Sequence, residues 1–66
     1  MNFTILEEAV LYSALEKYCE FCESCLENPD NLDQHSFIRG DLEISKKLQE
    51  EIKADYVARG GPLDRL

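Results

Sequence analysis

The chain has 66 residues and a formal net charge of −7, so it makes at most one small domain, and a domain of this size buries only about 60% of the surface its unfolded form exposes. Its acidity excludes a surface built for phosphate backbones or anionic membranes, and no run approaches the roughly 18 apolar residues that span a bilayer. With 44% hydrophobic residues the composition is that of a folded chain, not a disordered one.

The charge is unevenly placed. Residues 1–33 carry eight acidic residues against Lys17 alone, whereas residues 34–66 carry six acidic against six basic. Glu7 and Glu8 interrupt the first apolar run and no basic residue precedes it, so no signal peptide is expected. The expected compartment is the cytoplasm. Three closely spaced cysteines make a poor disulfide framework and fit a reducing environment.

In chain order, Thr4 followed by Glu7 has the spacing of a capping box, and Glu7 and Glu8 suit the positive end of a helix dipole. The first helix is predicted over about residues 5–28. Its apolar residues Leu11, Leu15, Tyr18, Cys22, Cys25 and Leu26 recur at helical spacing and fall on one side. Glu16, Glu20, Glu23 and Glu27 fall on the other. Leu6 and Val10 point away from the apolar line and are hard to bury within one hairpin. With Tyr12 on the flank, they are the expected subunit contact.

Asn28-Pro29-Asp30-Asn31 is the clearest break, because proline cannot continue a helix and restricts the residue before it. Asn31 with Gln34 has the spacing to cap the next helix. A connection this short makes antiparallel neighbours. The second helix is predicted over about residues 32–58, with Phe37, Ile38, Ile44, Leu48, Ile52 and Tyr56 as its apolar line and with Asp41 and Ser45 on the same face. The alternative is a break at Gly40-Asp41, with Asp41 capping a fresh helix. Gly60-Gly61-Pro62 ends the helix and leaves residues 60–66 as a tail, which frays or folds Leu63 and Leu66 back on the hairpin.

Folding the chain at Asn31 sets Leu26 against Phe37, Cys22 against Asp41, Tyr18 against Ile44 or Ser45, Leu15 against Leu48 and Leu11 against Ile52. Glu7 or Glu8 then comes close to Arg59. The expected fold class is therefore all-α, an antiparallel two-helix hairpin over residues 1–66. One interface leaves Tyr12, Cys19 and Phe21 half exposed, and a second hairpin is the expected remedy, giving a homodimeric four-helix bundle. In layout alone this is similar to the dimeric helical-hairpin regulators of plasmid copy number; no motif here matches their RNA-facing residues.

Cys19, Cys22 and Cys25 form C-x2-C-x2-C, but the fourth cysteine of a ferredoxin-like run is absent. Cys22, Cys25 and His35 are weak zinc candidates without the second knuckle of a strong signature. The cysteines are instead expected to pack as small hydrophobes, and neither metal nor cofactor is expected. His35 is the only histidine, and no second acid or base is placed around it, so an enzyme is not expected. The glutamate row is the informative surface feature. Like charges four apart on a helix cost a few tenths of a kcal/mol each, so helix stability does not favour it. Glu16, Glu20, Glu23 and Glu27 are read as a ridge that docks on a basic protein surface. The expected function is a small acidic binding module that inhibits or regulates a partner protein, of the kind viruses and mobile elements encode. The alternative is a bundle holding zinc or a small molecule between hairpins.

Overall fold

The first helix begins at Thr4, where the hydroxyl accepts from the Glu7 amide (3.0 Å) and the Glu7 carboxylate accepts from the Thr4 amide (2.8 Å). Two otherwise unpaired amides are satisfied reciprocally, as the spacing predicts. In the computed structural model, which describes residues 2–66 apart from the side chain of Asn31, α1 spans Ile5–Glu27. Asn28 ends it in an extended conformation before Pro29. The Asn28 side chain then accepts from the Asp30 amide (3.0 Å) and opens a 3-10 turn, Pro29–Gln34.

That turn runs directly into α2, His35–Ala58. The second helix thus starts later than the expected residue 32, because the turn itself supplies early partners: the His35 amide donates to the Leu32 carbonyl. Gln34 makes no side-chain cap, and the Asn31 half of the expected pair lies outside the described residues. α2 continues through Gly40-Asp41, so Asp41 is not a cap. At the far end the Gly60 amide reaches the Val57 carbonyl (3.0 Å) and the Gly61 amide the Tyr56 carbonyl (2.9 Å). Gly60 has φ +83°, the left-handed conformation that such a two-bond helix end requires. The tail then crosses the Tyr56 ring, whose hydroxyl donates to the Pro62 carbonyl (2.7 Å). A short 3-10 turn, Leu63–Arg65, closes the chain with Leu63 exposed and Leu66 half-buried.

The helices pack side by side as a slab of 43 × 19 × 13 Å. Glu8, Cys19 and Cys22 are buried on α1, and Ser45, Ile52 and Tyr56 on α2. With their half-buried neighbours they trace two seams. On α1 it passes Ile5, Glu8, Tyr12, Leu15, Cys19, Cys22 and Leu26, and on α2 His35, Ile38, Leu42, Ser45, Gln49, Ile52 and Tyr56. Both advance by alternating steps of three and four, the a/d spacing of helices wound together.

This corrects the expected apolar lines. Tyr18, Phe37 and Ile44 are exposed, and Cys19, expected on a flank, is buried. The expected nearness of Glu8 to Arg59 is present (3.1 Å), whereas Tyr18, expected against Ile44 or Ser45, donates its hydroxyl to Asp41 (2.8 Å), one turn away and expected against Cys22. What differs is the rotation of each helix about its own axis. Small side chains such as Ala9, Cys19, Cys22 and Ser45 let the backbones approach closely, and the bulky residues are turned onto the flank.

Candidate functional site

A helix wound at a/d spacing has two flanks, and in this hairpin they differ in chemistry. One flank of α1 carries Glu16, Glu20, Glu23 and Glu27, all exposed. The same flank of α2 carries Arg39, Lys46 and Lys53 alternating with Glu43 and Glu50, all exposed. Cys19 lies on the seam between the two rows; burial pushes its thiol up against the pull of Lys46, and Cys22, Glu23 and Glu16 add to the rise. The glutamate row is thus bordered by cations of its own chain. The one ion pair to a row member among the described residues is Lys17 with Glu20 at 3.5 Å, an exposed i,i+3 contact of little energetic weight.

Leu6 and Val10 are exposed and lie together with Phe3. With Glu7 and Leu11 they line a shallow depression of about 350 Å³. Tyr12 is not part of this patch. It sits half-buried in the seam, where its carbonyl accepts from Gln49 Nε2 (3.2 Å). Gln49 also accepts from the Cys19 thiol (3.7 Å), so one amide links the two helices at mid-height. No sequence signal marked Gln49 except its place in the three–four alternation.

Cys22 is fully buried, Cys25 half-buried, and His35 Nε2 lies 3.2 Å from the Asn28 carbonyl. The structure does not gather the three weak zinc candidates into a ligand set: among the described residues there is no group of three or more His, Cys, Asp or Glu able to hold a metal.

The open end of the hairpin holds a cluster that the sequence reading caught only in part. Glu8 is 0% exposed. Its Oε1 accepts from Arg59 Nη1 (3.1 Å), and Arg59 also donates to the Phe3 carbonyl and lies 3.5 Å from Asp55. The hydrogen bond to Asp55, then burial, raise the Glu8 pKa against the opposing pull of Arg59. The hydrogen bond from Glu8 lowers that of Asp55. Burial and a neighbouring carboxylate therefore both favour the protonated form of Glu8, while Arg59 favours the charged one.

Across the other flank, Tyr18 donates to Asp41 (2.8 Å) and stacks on Phe21 with ring centroids 6.3 Å apart. The hydrogen bond to Asp41 is the main reason that the Tyr18 hydroxyl is pushed up to about 12. Phe37, Ile44 and Leu48 of α2 share this flank and are exposed. Among the described residues no helix is long and apolar enough to cross a membrane. Comparison of the chain with protein-family models, with curated proteins and with solved structures finds no match.

Proposed function

We propose that the chain is a helical protein-binding module. The hairpin pairs with a second copy into a four-helix bundle and presents the acidic flank of α1 to a basic surface on another protein, whose activity it inhibits or regulates. The reading is of a binding protein, not an enzyme, at work in a reducing compartment such as the cytoplasm, without metal or cofactor. Its size and charge are those of regulators encoded by viruses and mobile elements, which is an analogy of form.

The observation that supports it is the exposure of Glu16, Glu20, Glu23 and Glu27 along one side of α1. Packing of the hairpin does not use them, and their mutual repulsion works against the helix that carries them. Such a row raises the rate of encounter with a basic surface and disfavours acidic ones. Arg39, Lys46 and Lys53 beside it limit how far its field extends and would set the register of a docked partner.

The test is affinity capture of the partner from the native host, followed by binding to the double variant Glu20→Lys/Glu23→Lys. Both positions are exposed, so helical content is expected to persist while affinity falls about tenfold or more, the scale of 1.4 kcal/mol. A folded variant with undiminished affinity would defeat the docking role of the row.

A further inference from the structure

We propose that the second copy is held by the flank opposite the glutamate row, the face formed by Tyr18 and Phe21 of α1 with Phe37, Ile44 and Leu48 of α2. This rests on the reading that the hairpin pairs with itself, and it assigns the surface by which it does so.

The hairpin's own seam is thin. The buried apolar residues are Ala9, Cys19, Cys22, Ile52 and Tyr56, only two of them large. The bulkier apolar side chains stand outside it: Phe37 is 76% exposed, Phe21 62% and Ile44 59%. They are not scattered. Each immediately precedes a seam residue: Tyr18 and Leu48 stand before Cys19 and Gln49, and Phe21, Phe37 and Ile44, one column further out on the same side, before Cys22, Ile38 and Ser45. An apolar stripe that covers a, d and one neighbouring column is the pattern of a helix inside a bundle, wider than a two-helix seam requires. Both helices widen toward the same side, so the hairpin has one broad apolar face.

The occupant follows from shape, area and charge. The face is the flat side of a slab only 13 Å thick; none of its five residues lines either of two depressions, one around Phe3, Leu6 and Val10 and one around Tyr12, Lys46 and Gln49. A flat two-helix face is matched by another flat two-helix face, and a twofold axis makes one such surface its own complement. At about 150–250 Å² per large side chain, the five residues leave on the order of 500 Å² of apolar surface per copy. That is in the upper part of the range for the largest apolar patch on a lone protein, and patches of that size are often functional. Two copies together reach about 1,000 Å², the level that a specific interface has to clear. Two charges stand on this side, Asp41, already accepting from Tyr18, and Glu51, one turn beyond Leu48 at the edge of the face. Joining two copies here also keeps Glu16, Glu20, Glu23 and Glu27 of each on the outside, where their repulsion is least and where a partner can reach them.

The test uses sedimentation of the full chain, with Phe37→Glu/Ile44→Lys as the disrupting variant and Leu6→Glu/Val10→Lys as the contrast. All four residues are exposed in the hairpin. At micromolar concentration the parent and the Leu6/Val10 variant are expected to sediment as dimers, and the Phe37/Ile44 variant at half that mass. Because loss of pairing can also unfold so small a hairpin, a second measurement leaves the face intact: a photo-crosslinking residue at Phe37, or at Val10, in the otherwise unchanged chain. Covalent dimer is expected from position 37 and not from position 10. A dimer that survives the Phe37/Ile44 change, or one that crosslinks from position 10 alone, overturns the assignment of the face and leaves self-pairing standing. A parent that is monomeric throughout overturns both.

Discussion

The most consequential single residue is Glu8, because a fully buried carboxylate without matched donors would be costly. Its Oε2 and Asp55 Oδ2 have no hydrogen-bond partner among the described residues. A proton on Glu8 resolves both. The folded protein raises Glu8 above its ordinary 4.5, so that group contributes stability below pH 4.5 and loses it as pH rises through the raised value. Asp55 is held below its ordinary 3.8, so its contribution is present above pH 3.8 and is lost as pH falls further. Together the two place the optimum of this cluster on the acidic side of neutrality. Glu8→Gln mimics the protonated acid, with an amide N–H for Asp55 and an oxygen for Arg59. The variant is expected to melt higher than the parent at pH 7, with the difference shrinking toward pH 4. Thermal midpoints across that range check it; a variant that melts lower at pH 7 would show that Glu8 works as an ion pair with Arg59.

At the scale of the elements, a glycine inside α2 and one just past its end have opposite roles. Gly40 lies inside α2 with ordinary backbone geometry, and a Cβ there would meet nothing within 4 Å. Gly40→Ala should therefore stabilise the helix by about 0.5–1 kcal/mol. A Cβ on Gly61 would lie 2.5 Å from the Tyr56 ring, which is anchored at its hydroxyl by Pro62. Gly61→Ala should destabilise by about 1–3 kcal/mol, the usual cost of overpacking. Urea denaturation of the two variants, read by helical signal, tests both signs at once. The same elements show what the residues revealed beforehand and what they did not. The start of α1 and the ends of both helices were legible because they are local chemistry, Thr4 with Glu7, Pro29 after Asn28, Gly60-Gly61 before Pro62, whereas the start of α2 was displaced by the 3-10 turn before it. The antiparallel pairing followed from the short connection, and the nearness of Glu8 to Arg59 from counting. The buried face followed only in part: Cys22, Ser45, Ile52 and Tyr56 were legible on it, but hydrophobicity also pointed to Tyr18, Phe37 and Ile44, while Cys19 and Gln49 hold those places in the seam. Apolar periodicity finds the seam only when the largest apolar residues are in it. Here they sit one column to the side, and the distinction between Tyr18 and Cys19 as seam residue is a single position. The glutamate row was legible as a row, whereas its neighbours Arg39, Lys46 and Lys53 come from α2 and appear beside it only once the helices are rotated correctly.

For the whole molecule, the two proposed interfaces lie on opposite sides of a slab 13 Å thick and should answer to salt with opposite signs. Pairing through the apolar flank brings together two chains that each carry −7. Like net charges resist association, and added salt screens them, the Debye length falling from about 10 Å at 0.1 M to about 3 Å at 1 M. Apolar burial is not weakened by that change, so dimerisation should tighten as salt rises. Docking of the acidic flank on a basic partner depends on attraction across solvent-exposed charges, and the same screening should slow and weaken it. One titration of sodium chloride, followed by sedimentation for the dimer and by partner binding at fixed dimer concentration, separates the two. Dimer affinity that rises while partner affinity falls is the expected pattern. If both fall together, the copies are held by charge and not by Tyr18, Phe21, Phe37, Ile44 and Leu48. If both rise, the partner is bound through apolar surface and the glutamate row is only a solvated flank.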